Sequence, residues 1–263
     1  RSLHSLLRCC RSINCKPCEG ILSGAEGNLR KVCVKESQSR MLIVSEAWKR
    51  AYPGAAVGIL VMRNVTNPPD HPMLDQRKAD LERDLRSRFA DGKVALATLT
   101  PLQAYDTYFK RFKKTYHVQL QLESVALKGK PIPRVAALVE AMFMAELKNM
   151  LLTAGHDLDA IQMPVRLDVS SGTERYVMLN GREQELKPED MMMADTQGII
   201  SSVLYGPDQR TRMTPDTRHV FFAVYAPPGI GEPAVYQHLQ DIQANVLLVA
   251  PEAQVELLKV YGT

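Results

Sequence analysis

The chain has 263 residues, of which 45% are hydrophobic and 24% charged, the composition of a globular protein large enough to bury a hydrophobic core. Its apolar runs fall well short of the roughly 18 residues that a membrane-spanning helix requires, so we exclude a transmembrane protein. The net charge of +4 arises in residues 1–40, where eight Lys or Arg face three Asp or Glu, leaving 25 basic and 26 acidic side chains elsewhere. This balance excludes a globally basic, nucleic-acid-binding surface.

Residues 1–40 differ from the rest of the chain because they lack a sustained apolar period. They contain all five cysteines: Cys9, Cys10, Cys15, Cys18 and Cys33. Three interpretations stay open: a disordered or non-native leader, an organelle transit peptide, and a metal or redox site built on Cys15 and Cys18. Regular patterning begins at Met41 and no cysteine follows it. We therefore expect one domain over residues 41–263, working in a reducing compartment, the cytoplasm.

The first half of this domain shows mainly helical patterns. A helix is predicted at 44–51, a buried strand at 55–62 and an amphipathic surface helix at 73–89. A breaker at 128–133, rich in Pro and Lys, is followed by a wide apolar stripe that predicts a helix over 134–152.

The segment 102–116 interleaves aromatic side chains with lysines and arginines. Such a mixture can stack on bases and neutralise phosphates. The aromatic residues also recur at the spacing of one helical face, which favours a stripe turned to the core. The two interpretations are compatible, since the basic face would stay outside. The aromatic positions are Tyr105, Tyr108, Phe109, Phe112 and Tyr116.

The second half of the domain changes to strand patterns. The turn Asn180-Gly181 is a strong hairpin signal, and a helix at 233–245 with a short apolar tail closes the chain. Because helices cluster early and strands late, we predict an α+β fold with sheets flanked by helices. The predicted strands are 163–169, 175–179, 191–194, 198–204 and 219–225.

No strong catalytic signature is present, and the histidines lack metal-ligand spacing, so we predict no metal and no cofactor and assign no catalytic residue. The segment 205–218 links two predicted strands and is polar, with Arg210, Arg212 and Arg218. It is either a binding loop on a sheet scaffold or a solvated hairpin. These patterns alone predict an α+β domain that binds something small.

Five features in a fixed order suggest a family. A proline turn leads into an apolar helix. A Leu-Asn-Gly turn precedes Glu and Leu, and an acidic residue then opens a hydrophobic run ending in Ala-Asp. A strand of small residues leads to glycine, and threonines precede a strongly apolar strand. They are Pro131-Ile132-Pro133, Leu179-Asn180-Gly181 with Glu183, Glu185 and Leu186, Asp190 to Asp195, 198–206, and Thr214, Thr217 and Val220-Phe221-Phe222. Over residues 120–230 this order resembles the B3/4 editing module of the phenylalanyl-tRNA synthetase beta subunit. Residues 41–263 resemble, more loosely, the freestanding proteins of this family.

The resemblance implies a hydrolase that deacylates mischarged aminoacyl-tRNA. It implies that Lys130 and His156 belong to the amino-acid pocket, and that Gly206 leaves room for the amino-acid side chain. Gly206 has an alternative interpretation, a turn residue that needs a positive φ. Thr217 and Ala223 complete the implied pocket.

Several consequences for specificity and partners follow from the resemblance. Synthetase members of the family end the apolar strand with a Glu that reads the hydroxyl of tyrosine. Six residues after Thr217 this chain has Ala223, so we expect an amino acid other than tyrosine. Arg210 and Arg212 are the expected tRNA contacts. The rival functions are a non-catalytic tRNA- or RNA-binding module and a small-molecule binding protein, and the sequence leaves the oligomeric state open.

Overall fold

The computed structural model describes residues 41–263, and the interpretations made for residues 1–40 lie outside it. The helices are α1 (Glu46–Ala51), α2 (Pro72–Arg88), α3 (Lys93–Ala97), α4 (Thr100–Arg111), α5 (His117–Ala126), α6 (Ala137–Asn149) and α7 (Glu232–Val249), with a short 3-10 turn at Leu158–Ala160. The strands are β1 (Leu42–Val44), β2 (Ala56–Arg63), β3 (Leu152–Asp157), β4 (Val165–Val169), β5 (Arg175–Val177), β6 (Glu183–Glu185), β7 (Met191–Asp195), β8 (Gly198–Ser202), β9 (Gly206–Pro207), β10 (His219–Ala226) and β11 (Gln254–Gly262).

Most strands belong to two sheets. The first has the order β11-β2-β10-β3 with antiparallel pairing throughout. The second has the order β1-β4-β7-β8-β9, in which only the β1–β4 pair is parallel. β5 and β6 form a separate hairpin ladder. The predicted α+β class is confirmed, with most helices early and most strands late.

The central strands of the four-stranded sheet, β2 and β10, are buried on both faces. On one face α7 packs against β2, because Gly58 has no side chain: a Cβ there would lie 2.6 Å from Val235. On the other face the hydroxyl of Tyr225 in β10 lies 2.6 Å from that of Ser201 in β8, so this face meets the second sheet. Side chains on alternate residues of β10 therefore point into two different interiors.

The aromatic stripe of α4 belongs to the core, which confirms that interpretation of segment 102–116. The rings of Tyr105 and Tyr116 stack with their centres 4.1 Å apart, and both side chains are buried. The Tyr105 hydroxyl donates to the carbonyl of Tyr225 and accepts from the Leu152 amide at 2.8 Å. One side chain thus fastens α4 to β10 and to β3.

Among the described residues, no helix combines the length and the apolar character needed to cross a membrane.

Candidate functional site

The segment between β9 and β10 wraps over the end of β3. The Asp157 amide donates to the carbonyl of Thr211 at 2.8 Å, and the Thr217 hydroxyl donates to Asp157 Oδ2 at 2.7 Å. The Thr217 hydroxyl also accepts from the amide of Thr214 at 2.9 Å. Because His156 directly precedes Asp157, this segment brings the predicted loop residues to the predicted histidine.

His156 forms one end of a buried relay with Thr211 and Asp208. His156 Nδ1 lies 2.7 Å from Thr211 Oγ1, and that hydroxyl donates to Asp208 Oδ1. The Thr211 amide donates to the same oxygen at 3.1 Å. A threonine hydroxyl carries one proton and an ionised carboxylate only accepts, so Thr211 must accept from His156. The imidazole is therefore held with its proton on Nδ1 and its lone pair on Nε2.

The Nε2 atom of His156 is fully buried and has no hydrogen-bond partner among the described residues. Burial lowers the pKa of His156 to about 3, with a further lowering by Arg210 and an opposing effect of Asp195. The imidazole is therefore neutral near pH 7 and presents a hydrogen-bond acceptor. A buried acceptor without a partner is costly, and in native proteins such an atom is explained by local strain, a catalytic role, or a bound water or ion.

An open cleft of about 390 Å³ lies beside this relay, a volume within the range of small-ligand sites. Asp208 belongs both to the relay and to the cleft wall. The lining residues are Arg175, Tyr176, Val177, Gln197, Gly198, Ile199, Asp208, Gln209, Arg210 and Arg212. Three arginines make this "arginine cleft" suited to anionic groups.

The two arginines predicted to contact tRNA both line the cleft but differ in their pairing. Arg210 donates to Asp195 Oδ1 and to the carbonyl of Ala160, each at 2.9 Å, and its Nε lies 3.7 Å from Asp208 Oδ2. Arg212 is exposed and donates to the carbonyl of Gln209 at 2.9 Å. Arg212 thus keeps more donors for a ligand, whereas Arg210 mainly shapes the cleft wall.

Gly206 lies next to this cleft, at the start of β9. Its φ is +80°, a conformation that favours glycine, and a Cβ built there would have no atom within 4 Å. Its carbonyl accepts from the hydroxyl of Tyr176 at 2.8 Å. Gly206 therefore has the positive φ that favours glycine, and the space where a side chain would stand is open.

Ala223 lies in the interior between the sheets. It is fully buried and pairs with Ala154 and Ile59 on the neighbouring strands. His156 pairs with Phe221, two residues before Ala223, so both side chains share the face that meets the second sheet. The structure therefore places Ala223 and His156 on the same face of neighbouring strands.

Lys130 lies apart from these residues in its described contacts. It is exposed in the loop after α5, where its amide donates to Ser124 at 3.0 Å and its carbonyl accepts from Arg86 at 3.5 Å. No described hydrogen bond or ion pair joins it to the other predicted site residues.

A second buried polar group lies around Asp190, which the sequence indicates only as part of the family pattern. Tyr108 donates to Asp190 Oδ1 at 2.7 Å and accepts from the Met191 amide at 2.8 Å. Burial raises the pKa of Asp190 to about 7, against hydrogen bonds from Tyr108 and Ser202 that lower it.

Asp208 and Thr211, which complete the relay, were missed. The only sequence signal for them is a cluster of polar residues in the loop that contains Arg210. Within residues 41–263, no three His, Cys, Asp or Glu side chains stand close enough to hold a metal ion together.

Comparisons with known proteins identify the family of this chain. The B3/4 domain family matches residues 102–259, a range that contains the relay and the arginine cleft. The phenylalanine–tRNA ligase beta subunits of Mycoplasma pneumoniae and Mycoplasma genitalium are 36% and 33% identical over 69 residues. That stretch is 26% of this chain and 9% of each relative, so the chain spans less than a tenth of their length.

An N-terminal fragment of the phenylalanyl-tRNA synthetase beta subunit from Pyrococcus horikoshii is a structural neighbour, with a TM-score of 0.44 and 14% identity. The comparison covers 91% of this chain and 62% of that fragment. The family match spans more than half of the sequence, and the chain belongs to the B3/4 domain family.

Proposed function

We propose that this protein hydrolyses the ester bond of mischarged aminoacyl-tRNA and releases the amino acid. Membership of the B3/4 family, whose matched relatives here are phenylalanine–tRNA ligase beta subunits, supports a tRNA-related role. The observation that carries the finer proposal is the buried, unpartnered Nε2 of His156, which the relay through Thr211 connects to Asp208 in the wall of a cleft with three arginines. Because charged tRNA is used in translation, the site of action would be the cytoplasm.

In this reaction a water oxygen attacks the ester carbonyl carbon, and the bond from that carbon to the ribose oxygen breaks. One proton of the water goes to the ribose oxygen, which restores the tRNA hydroxyl. An aminoacyl ester is already activated, so a positioned water and donors to the oxyanion suffice. The terminal tRNA hydroxyl assists the proton transfer.

The role that we assign to His156 is orientation. A pKa of about 3 makes its imidazole a weak base near neutral pH. Its Nε2 lone pair is nevertheless a fixed acceptor, and a water molecule or the α-amino group of the substrate can donate to it. The tautomer that leaves this lone pair without a proton depends on Thr211 and Asp208.

The remaining residues divide between the two ends of the substrate. Arg210 and Arg212 would contact tRNA phosphates, with Arg212 as the stronger ligand. Gly206 and Ala223 would border the amino-acid side chain, and Thr217 would hold the loop. Lys130 stays a prediction from the family resemblance.

The amino acid is proposed to be other than tyrosine. Ala223 is buried and its side chain cannot form a hydrogen bond. Strong selection for a hydroxyl needs a buried polar partner, whereas an apolar pocket discriminates only by size. A small or apolar amino acid therefore fits this position better.

The test is a deacylation assay with a panel of tRNAs, each charged with a non-cognate amino acid, run beside a binding assay with uncharged tRNA. We expect accelerated release for at least one apolar amino acid and slower release of tyrosine. His156→Ala should lower the rate while leaving the affinity for uncharged tRNA unchanged.

Two other results would replace the proposal. Binding of tRNA without release of any amino acid would favour a non-catalytic tRNA-binding module. Absence of both activities would favour a small-molecule binding protein that uses the same cleft.

A further inference from the structure

Two lysines outside the arginine cleft lie near each other at the end of α4. Lys114 follows α4 by three residues, and its Nζ lies 4.2 Å from the centre of the Tyr205 ring. Lys187 follows β6, and its Nζ donates to the carbonyl of Phe112 at 2.6 Å. Both lysines are half-buried. We call Lys114, Lys187 and Tyr205 the lysine patch.

The lysine patch lacks the carboxylates that balance its neighbours. Lys110 pairs with Asp106 at 2.6 Å, and Arg111 pairs with Glu189 at 2.8 Å. Among residues 41–263, neither lysine of the patch lies within 4 Å of a carboxylate oxygen. Within this part of the chain, no ion pair therefore balances the charge of the two lysines.

The electrostatics of Lys114 agree with this imbalance. Burial lowers its pKa, and the positive charge of Lys187 lowers it further, so the two ammonium groups are close enough to repel each other. Asp190 opposes this effect, but its own pKa is raised to about 7 by burial, which weakens its charge near neutral pH. An anion between the two lysines would relieve the repulsion.

The lysine patch adjoins the arginine cleft through the turn between β8 and β9. Tyr205, whose ring contacts the ammonium group of Lys114, directly precedes Gly206. The carbonyl of Gly206 accepts from Tyr176, a residue of the cleft wall. An RNA strand that passes over Gly206 can therefore contact both the lysine patch and the arginine cleft.

We propose that the lysine patch binds a phosphodiester group of the tRNA whose charged end enters the arginine cleft. This proposal takes its partner, tRNA, from the proposed function, and it adds a second binding site for that partner. Lysine ammonium groups are common phosphate ligands, and Tyr205 fixes the direction of one of them.

Structural roles for the two lysines do not use up their donors. Lys187 contacts a carbonyl at the end of α4, as lysines often do at helix C-termini. An ammonium group carries three donors, and Lys187 has one described hydrogen bond. Lys114 contacts the face of a ring, which leaves its N–H groups available as well.

The experiment measures the affinity of the full chain for uncharged tRNA at several salt concentrations. Each phosphate contact contributes about 0.7 to the slope of log K against log salt for a single strand. Lys114→Gln and Lys187→Gln should each lower the slope by about that amount and weaken binding at low salt. Lys110→Gln is the matched control from the same segment, and it should change neither.

Charge-retaining variants separate a loss of phosphate contact from a loss of folding. Lys114→Arg and Lys187→Arg should keep the wild-type slope. If the Gln variants melt at lower temperature, the Arg variants still report on charge, and a slope lowered as much by Arg as by Gln would overturn the proposal. Inorganic phosphate is the second probe, and we expect millimolar phosphate to compete less well with tRNA in the two Gln variants than in the wild-type protein.

The outcomes distinguish this proposal from the proposed function. Unchanged slopes in both Gln variants would overturn the lysine patch and leave the editing proposal standing. Lysine-dependent binding without deacylation would support the patch and overturn the hydrolase. A wild-type protein that does not bind tRNA would overturn both.

Discussion

Thr211 lies between a carboxylate and an imidazole, and its single hydroxyl proton links their states. As long as Asp208 is ionised, the hydroxyl donates to it and accepts from His156 Nδ1. Burial raises the pKa of Asp208, while hydrogen bonds from Thr211 and the charge of Arg210 lower it. The orientation of the acceptor on His156 is thus determined by a residue that does not face the ligand.

We predict that Thr211→Val disturbs both the relay and the stability of the fold. Valine has a similar shape but no hydroxyl, so the buried Asp208 loses a donor and His156 loses its acceptor. The free energy of unfolding should fall by about 1–3 kcal/mol. Nitrogen NMR of His156 should show a change in the ratio of its two tautomers, and deacylation should slow.

Thr211→Ser is the matched control, since it keeps the hydroxyl, and it should retain the wild-type tautomer. A valine variant with the same His156 nitrogen shifts as the wild-type protein would contradict the relay.

We predict that Gly206→Ala destabilises the protein through its backbone alone. The φ of +80° costs a residue with a side chain about 1 kcal/mol, while the space around the new Cβ is open. Gly206→Asn should cost less, because asparagine adopts positive φ more readily. Urea unfolding measures both, and an alanine variant no less stable than the asparagine variant would contradict the explanation.

At the scale of elements, the sequence predicts the helical stripe of α4 and the apolar runs of β2 and β10, and it misses β3 and β11. The stripe of α4 follows helical spacing and was predicted. β3 was missed because Leu152–Asp157 is buried but has neither an alternating pattern nor a continuous apolar run: Thr153, Gly155 and His156 interrupt it. The preceding helix ends at Met150, whose φ is +60°, without the glycine that usually marks such an end. β11 was interpreted as an apolar tail because its sequence lacks the alternation of a half-buried strand. Most of its residues are at least partly exposed.

The packing of α7 on β2 predicts different costs for two buried glycines. A Cβ at Gly58 would lie 2.6 Å from Val235, a stiff β-branched side chain in α7. A Cβ at Gly155 would lie 2.7 Å from the terminal methyl of Met213, which can move. Gly58→Ala should therefore destabilise the protein by about 1–3 kcal/mol, and Gly155→Ala by less. Equal shifts of the urea midpoint for the two variants would contradict this explanation, because they would show that Val235 in α7 makes room for a new Cβ as easily as the Met213 side chain does.

At the scale of the whole molecule, the candidate site combines a local and a distant contribution. Gly206, Arg210 and Arg212 lie within seven residues, so the sequence could already group them in one loop. His156 lies 50 residues before Gly206. It was indicated by the family resemblance and not by the residue pattern around it. Asp208 and Thr211 could not be selected because nothing in the sequence shows which loop residues meet the end of β3.

Buried ionisable groups should make the stability of the molecule depend on pH in two opposite ways. Burial raises the pKa of Glu146 to about 8 and that of Asp190 to about 7, so the folded state binds these protons more tightly than the unfolded state. The contribution of these two acids to stability falls as pH rises from the ordinary carboxyl pKa of about 4 to the raised values of about 7 and 8. Burial lowers the pKa of His156 and His238 to about 3, so their contribution rises up to about pH 6.5, the usual value for histidine.

These opposing effects largely cancel between about pH 4.5 and 6.5, and above that range only the two acids remain. We predict that the free energy of unfolding falls from pH 6.5 to 8, by up to about 1.4 kcal/mol per pH unit for each acid. Glu146→Gln keeps an oxygen that can accept from the Thr153 amide, now at 2.7 Å, but cannot ionise. This variant should lose less stability than the wild-type protein between pH 7 and 8, where Asp190 contributes little further change. Glu183→Gln, at an exposed position of β6, should follow the wild-type curve. Urea unfolding at half-unit pH steps gives the slopes, and a Glu146→Gln curve parallel to the wild-type curve would show that Glu146 does not hold its proton in the folded protein.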